Sequence, residues 1–134
     1  MPWYCDSSAL LKLVAQEPET SVFEVAVQNR KLVASELAIT EVGRAIERKL
    51  GSAFDAIDEV SARVGLMPIT SALLRQAIDI RPASLRTLDA IHIASAMQLG
   101  SDLEGVLTYD IRMQQAAREL NLRVEAPGQA ADGS

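Results

Sequence analysis

Leu85-Arg86-Thr87-Leu88-Asp89-Ala90-Ile91-His92-Ile93-Ala94-Ser95-Ala96 is the stretch on which the reading of this chain turns. Thr87 is a helix-capping residue type and Gly100, after Met97-Gln98-Leu99, is a helix stop, so the spacing predicts one helix over 87–99. Leu88, Ile91, Ile93, Ala94 and Ser95 make it apolar or small on most sides, as expected of a helix packed by several neighbours. A carboxylate, Asp89, stands in its first turn. Free backbone N–H groups there stabilise negative charge, so Asp89 reads either as a helix-start accessory or as a metal ligand at the lip of a cleft. The remainder of the chain has to decide between them.

A length of 134 residues suits one domain that buries roughly two-thirds of its unfolded surface. Apolar residues make up 49% and aromatic ones only 4%, so the core must be aliphatic. The lone Cys5 excludes an internal disulfide, fits a reducing compartment, and in its apolar run reads as a small buried hydrophobe. Asp6 interrupts the first apolar run and no basic segment precedes it, which argues against a signal peptide. No apolar run approaches the ~20 residues of a membrane span, so a cytoplasmic protein without membrane attachment is expected. Thirteen Lys and Arg against eighteen Asp and Glu give a net charge of −5, which argues against holding nucleic acid by bulk charge alone. A local basic rim around an acidic site remains compatible with that balance.

Taken in order, Pro2-Trp3-Tyr4-Cys5 is a short buried strand ended by Asp6, and Ser7 or Ser8 can cap a helix through 9–14 that stops near Glu17-Pro18. A helix follows over 19–28, then a strand over 31–34, and Ser35 caps a long helix to Leu50 that Gly51 stops. Ser52 opens the next helix, with Phe54, Ile57, Val60, Ser61 and Val64 on one stripe. Leu66-Met67-Pro68-Ile69 reads as a strand at an end or edge because of Pro68, and Thr70 caps a helix to Ile78. Beyond the loop 80–84 and the helix 87–99, a buried strand over 105–108 ends at Asp110. A helix over 111–120 and a strand over 123–125 close the domain 1–126, leaving 127–134 as a disordered tail. Alternating strands and helices imply an α/β protein with a parallel sheet covered on both faces, in which ligands bind beyond the carboxyl ends of the strands.

Four acids stand out against that frame: Asp6, Glu41, Asp89 and Asp110. Each has an ordinary explanation, as a turn residue, a partner for Arg44 three residues on, a helix-start charge, or an N-cap. Brought together they would repel, so that some protonate or a cation holds them. Hard ions such as Mg²⁺ or Mn²⁺ favour oxygen ligands, and with no histidine or cysteine among the four, zinc is a poor candidate. Such a site suits hydrolysis of a phosphodiester, with Ser7 and Thr108 as supporting hydroxyls or plain caps. His92, on the face of Asp89, reads as a hydrogen-bonded packing residue or as a base or ligand. Arg44 and Arg48 share a face with Glu41, either as a solvated salt-bridged face or as a phosphate-gripping edge.

The chain resembles PIN-domain ribonucleases, and particularly the VapC-type toxins of bacterial toxin–antitoxin pairs. The resemblance rests on Tyr4-Cys5-Asp6-Ser7-Ser8-Ala9-Leu10, Thr40-Glu41-Val42, the Leu85–Ala96 stretch, and Val106-Leu107-Thr108-Tyr109-Asp110. It implies a PIN-like three-layer α/β/α sandwich with a central, mainly parallel sheet and a metal-binding and catalytic site formed by Asp6, Glu41, Asp89 and Asp110. It further implies Mg²⁺- or Mn²⁺-dependent cleavage of an RNA substrate, a homodimer, and a cognate antitoxin protein that inserts a segment into the acidic groove. The family more often has Arg or Lys directly after the last acid, where this chain has Ile111. Two rival readings stand beside it. A phosphoryl-transfer enzyme with Asp6 as nucleophile would carry a second acid where Ser8 stands, and a non-catalytic interaction or RNA-binding module of the same fold would have no need of all four acids.

Overall fold

Five strands and seven α-helices alternate in the structure, a computed structural model that describes residues 1–51 and 54–130. β1 (Trp3–Cys5) leads into α1 (Ser7–Leu11) and α2 (Thr20–Val27), and β2 (Leu32–Ser35) into α3 (Glu36–Leu50) and α4 (Phe54–Arg63). β3 (Gly65–Met67) leads into α5 (Ser71–Ile78) and α6 (Thr87–Met97), β4 (Gly105–Leu107) into α7 (Ile111–Glu119), and β5 (Val124–Glu125) ends the order. All ladders are parallel, in the order β3-β2-β1-β4-β5.

The two-residue alternation of β1 assigns the layers. Trp3 and Cys5 join Leu10, Phe23, Ala38, Val42 and Val60, so α1 to α4 cover that face. Tyr4 points the other way, to Val33, Val106 and Ala96, which puts α6 on the second face. Leu73 of α5 and Met113 and Ala117 of α7 pack against α6 from either side, which explains why Ala90 to Ala96 are all buried and the helix is apolar almost all round. The α/β/α sandwich expected from the sequence is the observed architecture. Cys5 is buried, as expected, and its thiol pKa is pushed up by burial.

From β1 the chain winds outward through β2 and β3, then crosses back to β4 and β5 on the other side. The winding reverses between β1 and β4, the place where open parallel sheets bind ligands. Cys5 lies level with Leu107, so Asp6 and Thr108 emerge there side by side.

Local boundaries differ from the sequence reading for identifiable reasons. The cap of α1 is Asp6, not Ser7 or Ser8: its carboxylate accepts from the Ala9 N–H, and the helix is a short one, not 9–14. Arg86, not Thr87, holds the capping position of α6 and offers no side-chain bond, since its fork of N–H groups has nothing to accept with. That helix gives way after Met97, before a 3₁₀ turn over Gly100–Asp102. β3 begins at Gly65, beside Val33, and ends before Pro68, which has no N–H for the ladder; it is an edge strand, as Pro68 suggested. Thr70 and Ser35 cap α5 and α3 as expected. The predicted helix start at Ser52 lies outside the described residues, as do residues 131–134 of the predicted tail.

Residues 127–129 are not a loose tail. The Tyr109 hydroxyl donates to the Pro127 carbonyl at 2.7 Å, and the Gln129 side chain donates to the Tyr109 carbonyl at 2.8 Å and accepts from Gln114 at 2.8 Å. Among the described residues no helix is long and apolar enough to cross a membrane.

Gly105 shows how tightly the β1–β4 pair is packed. A Cβ there would lie 2.5 Å from the Trp3 ring and 2.9 Å from the Arg123 carbonyl oxygen. The ring has little room to yield, being flanked by the guanidinium groups of Arg30 and Arg123 at 4.4 and 5.3 Å from its centroid. Gly105→Ala is therefore expected to lower stability by about 1–3 kcal/mol, read as a reduced urea midpoint at unchanged slope. A midpoint equal to that of the parent chain would show that Trp3 moves aside freely.

Candidate active site

Asp6 leaves β1 with 4% of its surface exposed. Its carboxylate accepts from the Ala9 N–H at 3.0 Å, from the Ser8 hydroxyl at 2.6 Å and from the Thr108 hydroxyl at 2.5 Å. Burial pushes its carboxyl pKa up; the Ser8 and Thr108 hydrogen bonds, His92 and the Ala9 N–H pull the other way. Thr108 in turn accepts from the Asp110 N–H, and Ser8 accepts from the Tyr109 N–H, so two hydroxyls stitch the end of β1 to the end of β4. Thr108 thus stands beside the acids as anticipated. Ser8 makes the hydroxyl bond to Asp6, and Ser7, the serine singled out in the sequence, lines the same cleft.

Asp110 caps α7 by accepting from the Met113 N–H at 3.0 Å, while its second oxygen lies 3.9 Å from Arg86 Nη2. Asp89, in the first turn of α6, lies 3.8 Å from Arg86 Nε. Arg86 is mostly exposed and bridges the two acids at the mouth. Glu41 arrives from α3 and places Oε1 2.6 Å from His92 Nε2. His92 is buried, with Nδ1 2.7 Å from the Tyr4 hydroxyl, so both of its ring nitrogens have partners within the fold. Of the two explanations open for Glu41, pairing with Arg44 is not the one seen: the carboxylate meets the His92 imidazole instead.

All four acids line one cleft of about 320 Å³ beyond the carboxyl ends of β1 and β4, together with Ser7, Ser8, Arg86, Thr87 and Leu88. Larger hollows of about 420 and 450 Å³ lie elsewhere, but none of the four acids lines either. An adjoining groove of about 360 Å³ shares Ser7, Ser8, Glu41 and Leu88 with the cleft and adds Arg44 and Arg48. Among the described residues neither arginine forms a salt bridge. Sequence reasoning missed Arg86, Ser8 and Tyr4. Arg86 and Ser8 had a faint signal, three and two residues from an acid; Tyr4 on a buried strand had none.

The donor set is all oxygen, open to solvent on one side, and internally repulsive. Asp89 shows the repulsion: its carboxyl is held above the usual range first by burial, then by the charge of Asp110, with Asp6 adding to it and Arg86 and His92 opposing. Among the described residues no three acidic, histidine or cysteine side chains close into a ready cage for a metal ion. An open carboxylate cleft nonetheless fits a hard divalent ion, which keeps several waters and takes only one or two carboxylates directly.

The PIN domain family matches residues 3–119, and the chain belongs to it. Within that family it is similar to Ribonuclease VapC46 of Mycobacterium tuberculosis (strain ATCC 25618 / H37Rv), 42% identical over 125 residues that span 92% of this chain and 96% of the relative. Ribonuclease VapC35 of M. tuberculosis (strain CDC 1551 / Oshkosh) is 36% identical over 132 residues, 95% of this chain and 98% of its own. The fold is shared with the crystal structure of M. tuberculosis VapC20, described as a sarcin–ricin loop cleaving toxin, at TM-score 0.69 and 16% identity over 87% of this chain and 95% of that one. It is shared equally with a toxin–antitoxin complex from Klebsiella pneumoniae, at TM-score 0.69 and 16% identity over 96% and 99%.

Asp89 generates a prediction with a definite sign. A carboxyl whose native pKa is raised contributes stability that is full below its unfolded value of about 3.9 and is lost as pH rises through the native value. In the absence of divalent ions, Asp89→Asn should melt above the parent protein at neutral pH, and the difference should shrink as pH falls toward about 4. Thermal melts across that range check it. A variant less stable than the parent at neutral pH would show that the helix-start role of Asp89 outweighs the repulsion.

Proposed function

We propose that this protein is a Mg²⁺- or Mn²⁺-dependent ribonuclease toxin that hydrolyses RNA phosphodiester bonds in the cytoplasm and is neutralised by a cognate antitoxin. The observation that carries the proposal is the meeting of Asp6, Glu41, Asp89 and Asp110, delivered by four separate elements, in one cleft at the switch point of the sheet. Relatives named as ribonucleases at 42% and 36% identity support the reaction class.

The carboxylates of the cleft would hold the cation, one or two of them directly and the others through its waters. When bound, Mg²⁺ or Mn²⁺ supplies positive charge at the scissile phosphate and makes water a better nucleophile. Asp6 is aimed by Ser8, Thr108 and the Ala9 N–H, so its charge sits in one place without reorganisation. Asp110 is fixed by its own capping bond to α7, and Glu41 by His92. RNA is a polyanion approaching an acidic cleft on a chain of net charge −5, so attraction has to be local. Arg86 at the mouth and Arg44 and Arg48 along the adjoining groove provide it, and among the described residues the two groove arginines have no salt bridge to release first. An antitoxin segment would enter the same cleft; the fold shared with a solved toxin–antitoxin complex supports a partner of that kind. The assembly expected with it is a homodimer.

Pure protein should cleave structured RNA in Mg²⁺ or Mn²⁺ and stop on addition of EDTA. Asp6→Asn should lose about 100-fold or more in rate while keeping its fold, since loss even of a residue supporting a metal ligand costs 10–100-fold. An Asp6→Asn protein as active as the parent would return the cleft to a structural role. Replacing Arg44 and Arg48 with Gln should weaken RNA binding and lower its salt slope by up to about 2. An unchanged slope would make them ordinary solvated side chains.

A further inference from the structure

His92 is the only histidine in the chain, and its ring is 1% exposed. Both ring nitrogens are engaged: Nδ1 is 2.7 Å from the Tyr4 hydroxyl and Nε2 is 2.6 Å from Glu41 Oε1. Beside a carboxylate Nε2 acts as the donor in the neutral and in the charged ring alike, and in the neutral ring this leaves Nδ1 to accept from the Tyr4 hydroxyl. Tyr4 is fully buried on the central strand, meeting the imidazole edge-on at 5.9 Å between centroids. The pair is therefore a rigid post standing on β1 and α6.

Glu41 is the opposite kind of residue. It reaches the cleft from α3 on a flexible side chain, and Arg44, one turn further along the same helix face, is a ready alternative partner. In the structure that partnership is not made: Glu41 meets His92 where the cleft and the adjoining groove join, and Arg44 lines the groove unpaired with it. We propose that Tyr4 and His92 are positioning residues that hold Glu41 in the acidic cleft and away from Arg44. One buried imidazole thereby keeps a carboxylate available on one side and an arginine available on the other. The functional value of that arrangement rests on the proposal above that the cleft takes a divalent ion and the groove takes RNA phosphates; the anchoring itself does not.

The experiment has two arms. First, with one histidine in the chain, its ring signals in ¹⁵N NMR need no assignment. A slowly exchanging Nε2–H that shifts in Glu41→Leu, together with an Nδ1 signal that shifts in Tyr4→Phe, is expected. A ring N–H in fast exchange with water, or signals indifferent to both substitutions, overturns the proposal whatever the protein's activity. Second, Mg²⁺ and Mn²⁺ affinity is measured by calorimetry without RNA for the parent, His92→Leu, His92→Gln and Tyr4→Phe, each checked for a cooperative melt. His92→Leu should weaken binding by about 10–100-fold, Tyr4→Phe by less, and His92→Gln, whose amide N–H can reach Glu41, should recover most of the loss. In RNA binding, His92→Leu should also lose about one phosphate from the salt slope, as Arg44→Gln does, because the released Glu41 neutralises Arg44. Parent-like affinity in folded His92→Leu, or equal losses in the Leu and Gln variants, overturns the positioning role. If the parent itself binds no divalent ion, the metal-site proposal falls while the NMR arm still decides the anchor.

Discussion

Where β1 ends, a carboxylate is taken almost out of water, and its demand for donors organises what surrounds it. An ionised group in that position costs several kcal/mol unless hydrogen bonds replace its hydration, on the order of the whole stability of a small domain. Asp6 finds its donors in three places: the first turn of α1, the Ser8 hydroxyl on that turn, and Thr108 at the end of the neighbouring strand. Meeting that demand starts the helix, locks the ends of β1 and β4 together, and brings the Asp110 N–H onto Thr108. The same carboxylate is then held in one orientation at the lip of the cleft.

The other acids are arranged so that each is partly supported without being neutralised. Asp110 spends one oxygen on its helix cap, Glu41 spends one on His92, and Asp89 has the helix start and a loose approach from Arg86. A tight arginine–carboxylate pair at Asp89 or Asp110 would have relieved the repulsion there. Arg86 at 3.8 and 3.9 Å from two acids is long for a charged hydrogen bond, and exposure to water weakens it further. Burial first, and then the residual repulsion from Asp110 and Asp6, raise the proton affinity of Asp89. Stability is surrendered locally at such a site and recovered in the aliphatic layers on both faces of the sheet.

The Thr108–Asp110 turn is held from outside as well as from below. Gln114 donates to the Thr108 carbonyl, Gln129 donates to the Tyr109 carbonyl, and the Tyr109 hydroxyl reaches Pro127. Lys12, salt-bridged to Glu17 and Glu19, lies 4.6 Å from the centroid of the Tyr109 ring. The segment after β5 therefore acts as a strap across the loop that carries the last acid. A loop so held keeps Asp110 in register with Asp89 even though the two residues belong to different helices.

Periodicity and residue type were sufficient for the layers. Apolar runs of three or four residues ended by an acid or a serine mark buried parallel strands, and the greasy stretch from Leu88 to Ala96 marks a helix with neighbours on every side, because these patterns depend only on what lies within one element. Three of the four acids were legible for the same reason, Asp6 and Asp110 just after strands and Asp89 at a helix start, whereas Glu41 lies inside α3 with no such positional mark. What the chain could not disclose by itself was who pairs with whom. Glu41 could be matched to Arg44 by local spacing, yet its partner is His92, 51 residues away, and Tyr4 backs that histidine across 88 residues. Thr108 meets Asp6 across 102 residues, and Gln129 turns an apparent tail into part of the site's support. Those choices follow from the strand order and from which helix covers which face. Local spacing reports the angle of a side chain about its own axis; only the packed sheet sets the distance to a group on another element, and hydrogen bonds are decided by that distance.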